Sequence, residues 1–489
     1  MPIWLNNGFT QGFAHFDFNK VLVVFFVQYM KGVEMVKRAF LLSLALFLSF
    51  TTFSAQASNL GTLPADAPWV LEYAEKYDGA VLGNHLSIAH HPITGAAYVS
   101  YYDSLNKDLK LAYEVEPGNG NCGTDNRWLC ETVDSTGNVG LYTSIDVVNV
   151  FTGLNSTEST LIGISYYDTT NDAIKYAKGT NNGTSTQWEF SQVDNVDYVL
   201  YTSLRFGLNT TPYIAYHAMK VTSPPSGSVK LAWYDETGGG NCGTSNLWIC
   251  ETVDLKSSID HGIHVSLDLL YDGTPAIAFY NDETDALELA VKQAGSGCSN
   301  SAWTCTIVDG SAEDVGLFPS LQAPKSVNSR YRIAYYDATN DLLKYAESVI
   351  SGGNCTSSLF NCYSVDSVGF SDILNTYDLS MDLDNQGYPI IAYQDATTSA
   401  PKIKIARPAQ VYGETSGNCG TPTNQWQCDV IDPGSGFDLE GKYMAVSISP
   451  IGSATIAYTE LDTRPIEPNT YLKIARQELF CVNLPFVVR

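Results

Sequence analysis

Two residues before a serine that recurs along this chain stand His85, Tyr142, Tyr201, His264 and Phe318, with Asp378 and Ala445 at the corresponding places further on. Rings of this kind stack on sugar faces and other flat ligands, and an imidazole among them can take or give a proton near neutral pH. His217 joins the set because it interrupts the local pattern: Tyr216-His217-Ala218 stands where other repeats read Tyr-Tyr-Asp. His85, Tyr142, Tyr201, His217, His264 and Phe318 are therefore the ligand-binding candidates. His217 and His264 together could form a base or a metal pair, although two histidines at variable positions are also what chance supplies. His261 lies close by in sequence.

A second inventory is acidic. The chain carries 52 Asp and Glu against 27 Lys and Arg, a formal charge of −25, which argues against nucleic acid or an anionic membrane as a partner. Asp103, Asp168, Asp337 and Asp395 recur at one position, as in YYDTTND at 166–172 and its relatives. They are the metal-ligand candidates, with Ca²⁺ the ion such a surface would take, although no cofactor is required. The same aspartates suit the Asx cap of a tight turn, where the carboxylate accepts backbone N–H bonds. A second set, Asp78, Asp134, Asp194, Asp254, Asp309, Asp366 and Asp432, closes a further recurring run, and both sets are expected on one acidic face.

These residues are positioned by a repeat of about 60 residues. Its second run reads AYVSYYD (97–103), IGISYYD (162–168), YIAYHA (213–218), AIAFYND (276–282), RIAYYD (332–337), IIAYQD (390–395) and TIAYTE (455–460). Its third is LKLA (109–112), IKYA (174–177), VKLA (229–232), LELA (287–290), LKYA (343–346), IKIA (403–406) and LKIA (472–475); Glu288 replaces the lysine once. A fourth run starts on an aromatic residue and ends in Asp, at 128–134, 188–194, 248–254, 303–309, 360–366 and 426–432. The first run holds one serine: Ser87, Ser144, Ser203, Ser266, Ser320, Ser380 and Ser447. Runs rich in Tyr, Ile, Val and Trp, divided by Gly, Asn, Asp and Pro, are strands and turns. Four strands per unit at this period predict an all-β, seven-bladed propeller of four-stranded antiparallel blades. The fourth run lacks a seventh copy downstream. Trp69 and Tyr77-Asp78 match it, so the N-terminal strand is expected to close the last blade, which removes two open edges. Serines on the crowded axis are expected where only a small side chain fits, and the tryptophans between neighbouring blades.

Ten of the eleven cysteines fall into local pairs: Cys122 with Cys130, Cys242 with Cys250, Cys298 with Cys305, Cys355 with Cys362, and Cys419 with Cys428. The second repeat keeps Trp188 but has neither cysteine, so the pair comes and goes as a unit, as a disulfide does. Residues 1–57 read as a targeting segment, with 35–57 a signal peptide: a basic start at 35–38, an apolar stretch at 39–53 and Ala55-Gln56-Ala57 as cleavage site. Disulfides and signal peptide together predict a secreted or cell-surface protein, with no membrane span in the mature chain. Residues 58–480 then form the propeller and 481–489 a tail, with Cys481 left over.

The YYD, LKYA and W…VD units resemble the tandem repeats of secreted bacterial β-propellers in the broad sialidase-like (BNR-type) neighbourhood. The sialidase Asp-box S-x-D-x-G-x-T-W does not occur. Blades one to five contain only Arg127, Arg205, Arg330 and Arg332, of which Arg205 alone lies on an expected first strand, so an arginine cluster for a sialic carboxylate is not expected. Propeller lyases use His and Tyr as base and acid, which the resemblance would carry to His217, His264, Tyr142 and Tyr201. The leading expectation is a non-catalytic recognition or adhesion propeller that binds glycan or protein on the face of the strand 2–3 and strand 4–1 loops. An extracellular polysaccharide lyase or glycoside hydrolase, and a structural module of an extracellular assembly, are the alternatives.

Overall fold

The second strand of each repeat sits mid-sheet between two neighbouring blades, which is why it reads as a continuous apolar run. Ala97–Asp103, Pro275–Asn281 and Pro389–Asp395 are buried at every position. The computed structural model describes residues 68–478 apart from short stretches at 153–156, 184, 221–225, 257–260, 311–312, 370–377, 399, 413–415, 422 and 467. The targeting segment, residues 223–225 of a Pro-rich loop, Cys481 and the tail lie outside the described residues. Those described belong to one compact unit, Gly61–Arg489. Among them no helix is long and apolar enough to cross a membrane.

The strands form seven four-stranded antiparallel sheets. Blade one is Asn84–His90, Ala97–Asp103, Asp108–Glu114 and Trp128–Asp134. Blades two to six follow in chain order, from first strands Val139–Thr152, Tyr198–Phe206, Ile263–Leu269, Val315–Gln322 and Leu379–Leu383. Blade seven takes Asp438–Ile448, Ala454–Asp462 and Asn469–Gln477 from the C-terminal end and Trp69–Glu75 from the N-terminal end. Its outer pair runs from Trp69 opposite Gln477 to Glu75 opposite Leu472. The ring is therefore closed as expected, with one correction. The carboxylate that ends this strand is Glu75, six residues after Trp69 as Asp134 is after Trp128, and not Asp78. A bulge between Tyr73 and Glu75 turns it inward.

The tryptophans lie between blades. Trp128 Nε1 donates to Glu72 Oε1 of blade seven at 3.2 Å, and Trp248 meets Tyr176 of blade two edge-on at 5.4 Å.

All five expected cysteine pairs are disulfides, each across the turn between the third and fourth strands of its blade. Cys122 is bonded to Cys130 in blade one, Cys242 to Cys250 in blade three and Cys298 to Cys305 in blade four. Cys355 is bonded to Cys362 in blade five and Cys419 to Cys428 in blade six. Their Cα atoms stand 5.0 to 6.0 Å apart, within the span that a disulfide bridges.

The axial serines do more than fit. Ser87 Oγ accepts the Ile145 N–H of the next blade, and Ser144, Ser203, Ser266, Ser320 and Ser380 accept those of Leu204, Leu267, Leu321, Met381 and Val446. These bonds join the inner strands around the axis at 2.9 to 3.2 Å. In blade seven the ladder sets Ala445 opposite Ala457, where Ser380 stands opposite Ala392 in blade six. Ala445 thus holds the serine position, Ser447 lies two residues beyond it, and Tyr443 is the residue two before.

Candidate functional site

Each first strand enters at the face that carries the strand 2–3 turns, because its start pairs with the end of the second strand, as Val139 does with Asp168. The residues two before the serine position meet there. Ring centroids run Tyr443 to His85 at 4.6 Å, His85 to Tyr142 at 4.2 Å, Tyr142 to Tyr201 at 5.0 Å, Tyr201 to His264 at 4.4 Å and His264 to Phe318 at 3.9 Å. Six blades thus supply an unbroken arc of rings, and Asp378 fills the seventh place. Five of the expected ligand-binding residues are brought together. Tyr443 belongs to the arc too, and its neighbour Ala445 does not.

The arc is held against backbone preference. His85, Tyr142, Tyr201, His264 and Phe318 have φ of 48°, 52°, 62°, 59° and 52°, the left-handed region that bulky residues avoid, at a cost of roughly 1–3 kcal/mol each. A bulge accompanies each one, as between Leu141 and Ser144 and between Ile263 and Ser266. Except before Tyr201, where Val199 stands, a glycine two residues earlier lets the strand approach its neighbour: a Cβ on Gly140 would lie 2.9 Å from Leu109 Cα, and one on Gly316 2.5 Å from Leu287 Cα. The pattern Gly-x-aromatic at 83–85, 140–142, 262–264, 316–318 and 441–443 is the sequence signal for five of the six rings, and it would have placed Tyr443 correctly.

Burial sets the proton chemistry. It pushes the imidazoles of His85 and His264 down to about 3, helped by Lys442 and His217 respectively, so both are neutral at pH 7. It raises the Asp378 carboxyl to about 7 even though Asp378 accepts the Met444 and Leu379 N–H groups. Tyr443 is pushed up to about 12, chiefly by burial and then by Asp378. A cavity of about 170 Å³ opens between His85, Tyr142, Tyr201, Asp378 and Tyr443. His217 is fully buried in the second strand of blade three, within electrostatic reach of His264 but away from any dissolved ligand.

A larger cavity of about 520 Å³ lies further along the axis. Its walls include the residues two after the serine position, among them Asp146, Arg205, Asp268, Gln322 and Asp382. Asp146, Asp268 and Asp382 accept the N–H groups of Phe206, Ala323 and Ile448 at 2.7 to 2.8 Å. Lys325 reaches Asp268 at 2.6 Å, and Arg205 stands 3.9 Å from it. Burial raises Asp382 to about 6. The period-two alternation of the inner strand from serine to Asp carries the signal for this ring, which was not among the expected sites.

Most of the aspartates expected to form an acidic face turn inward instead, and Asp78 alone among them is exposed. Asp103 and Asp168 each accept two backbone N–H groups of their own turn, at 3.0 to 3.2 Å, and the Nδ2 of Asn106 or Asn171 at 2.8 Å. Asp337 and Asp395 cap their turns likewise. Asp168, Asp337 and Asp395 also lie 3.4 to 3.8 Å from a lysine of their own blade. The fourth-strand carboxylates meet the next blade: Asp309 accepts from Tyr335 and Lys344, and Asp432 from Tyr458 and Lys473. A half-buried or buried carboxylate needs such a partner, and the Tyr and Lys of the YYD and LKYA runs are those partners.

The fold defines a seven-bladed β-propeller. No protein-family model matches the chain, and no curated protein does. Solved structures resemble it at low identity. A protein of unknown function from Dyadobacter fermentans has a TM-score of 0.43 at 8% identity, covering 85% of this chain and 100% of its own. The polysaccharide lyase Uly1 has 0.41 at 10%, covering 83% and 91%. The NanB sialidase of Streptococcus pneumoniae has 0.38 at 9%, covering 88% and 72%. Likeness at this level carries no argument on activity.

Proposed function

We propose that this is an extracellular recognition propeller that binds a glycan end-on at the axial arc of rings. The observation that carries the proposal is that five successive blades hold an aromatic side chain at positive φ, next to a cavity edged by the Asp378 carboxyl. Packing alone would not demand such strain five times over, and strain of this kind clusters at binding sites. Rings take sugar faces while Asp378 and the tyrosine hydroxyls take sugar hydroxyls. Five disulfides suit an oxidising compartment.

The test is a glycan array of the purified protein, with calcium and with EGTA. Binding is expected in both, since the turn aspartates already have partners, and Tyr142→Ala and Tyr201→Ala should abolish it. His217→Ala, remote from the arc, should leave it intact. A blank array, or binding untouched by both tyrosine variants, overturns the proposal. The second reading is catalysis, favoured by an Asp378 carboxyl near 7 and a neutral His85 that line one cavity, groups suited to proton exchange with a ligand held there. Release of reducing ends or unsaturated sugars from an array-positive polysaccharide, lost in Asp378→Asn, would establish it.

A further inference from the structure

Six of the seven seams between blades share one construction. A carboxylate on the last strand of one blade (Glu75, Asp134, Asp194, Asp309, Asp366 or Asp432) receives a tyrosine hydroxyl and a lysine ammonium from the next. The pairs are Tyr101 and Lys110, Tyr166 and Lys175, Tyr216 and Lys230, Tyr335 and Lys344, Tyr393 and Lys404, and Tyr458 and Lys473. At this place the fold seats a cation.

The seam between blades three and four keeps the carboxylate, Asp254, and changes everything around it. Phe279 replaces the tyrosine, Glu288 the lysine, and Asn281 the aspartate that ends the second strand. His261, just before blade four, brings Nε2 to 3.0 Å from Asp254 Oδ2. One nitrogen of His261, one oxygen of Asp254 and one oxygen of Glu288 lie within 4.8 Å of one another, and all three residues are buried. The surroundings fix the two carboxylates. Asn281 Nδ2 donates to Glu288 Oε2 at 2.6 Å, and the Ser299 N–H donates to Asp254 Oδ1 at 2.6 Å, which leaves Oδ2 turned to the histidine. Lys256 is the nearest lysine. Its Nζ stands 3.8 Å from Asp254 Oδ2 and 3.2 Å from Glu283 Oε2, with 28% of its side chain exposed, so it spans the rim and does not fill the centre.

Replacing a lysine by a second carboxylate, inside a seam that elsewhere holds an ammonium, gathers negative charge where burial makes it costly. Two carboxylate oxygens, each carboxylate held by an outer hydrogen bond, and an imidazole form the donor set of a first-row divalent ion; Ca²⁺ asks for more oxygens than the three residues offer. We propose that Asp254, His261 and Glu288 bind a divalent transition-metal ion, Zn²⁺ being the probe, and that the ion joins blades three and four as the lysine does at the other seams. The expected calcium sites on the turn aspartates are a different set of residues.

The test uses the purified protein, stripped with EDTA, desalted and titrated with Zn²⁺ by calorimetry, with thermal melts alongside. One equivalent should bind and raise Tm. Glu288→Lys restores the residue found at six seams, so it should fold, lose the Zn²⁺ site and melt in EDTA no lower than the unsubstituted protein. His261→Ala should weaken binding by more than about 100-fold, beyond the loss of an outer-shell partner, with an unchanged circular dichroism spectrum. Folded protein that takes up no Zn²⁺ overturns the proposal and leaves Lys256 as the counter-charge. Equal uptake by Glu288→Lys overturns it as well, by placing the ion elsewhere.

Discussion

Lys344 Nζ lies 2.5 Å from Asp309 Oδ2 across the seam between blades four and five, and the Tyr335 hydroxyl donates to the same oxygen at 2.6 Å. The lysine and aspartate side chains are only 12% and 11% exposed, so the ion pair is internal. Asp309→Ala would leave the Lys344 ammonium only the more distant Asp337, at 3.8 Å, and would take the carboxylate from the Tyr335 phenol; breaking a buried pair costs up to about 3–5 kcal/mol. A drop in Tm should accompany it, while Lys178→Ala, whose exposed partner is Glu189 at 3.4 Å, should change Tm little. Equal effects in the two variants would refute the seam assignment.

The axial serines make a second prediction. Ser266→Ala deprives the Leu321 N–H of its acceptor at 3.0 Å, and an unsatisfied buried donor costs about 1–3 kcal/mol. Ser266→Thr keeps the hydroxyl but adds a methyl at the axis. If space alone selected serine, alanine would be harmless and threonine the damaging change. Denaturant melts of both variants should instead show alanine destabilised.

Each disulfide joins cysteines 7 to 9 residues apart, and for so short a loop the chain-entropy model gives about 2–3 kcal/mol. Replacing Cys122 and Cys130 by alanine should lower the stability of the oxidised protein by that order. Blade two, which has no such bridge, supplies the internal comparison: its strands form the same four-stranded sheet. The double variant is therefore expected to keep a native far-ultraviolet spectrum, and a loss of fold would show that the bridge is needed for blade formation.

Asp378 should make stability depend on pH. Burial raises its carboxyl to about 7, against an ordinary 3.8, so between these values the native state binds more protons than the unfolded chain. Its contribution is fully present below about pH 4 and lost as pH rises toward 7, a change on the order of 4 kcal/mol. Asp378→Asn should flatten that part of the profile. Denaturant midpoints at pH 4.5, 6 and 7.5 for both proteins provide the check; parallel profiles would show that Asp378 titrates normally.

The repeat itself was legible because strand, turn and period are local properties. YYD, LKYA and W…VD mark strands by residue type, cysteine pairs appear and vanish together, and the spare tryptophan at 69 announces a strand borrowed by the last blade. Position within a strand was legible as well, so His85, Tyr142, Tyr201, His264 and Phe318 could be grouped before their rings were seen to touch. What the sequence could not supply was the direction of the carboxylates. Asp134 and Asp309 look like surface acids when only their own repeat is read, because the Lys and Tyr that neutralise them belong to the next blade. Bulges had the same effect at Tyr443, where an irregular strand displaced the serine count by two. The exchange of Lys for Glu288 stood in the sequence as an isolated anomaly. Only the packing of blade four on blade three, which sets Glu288 against Asp254 and His261, turned it into a cluster of ligands.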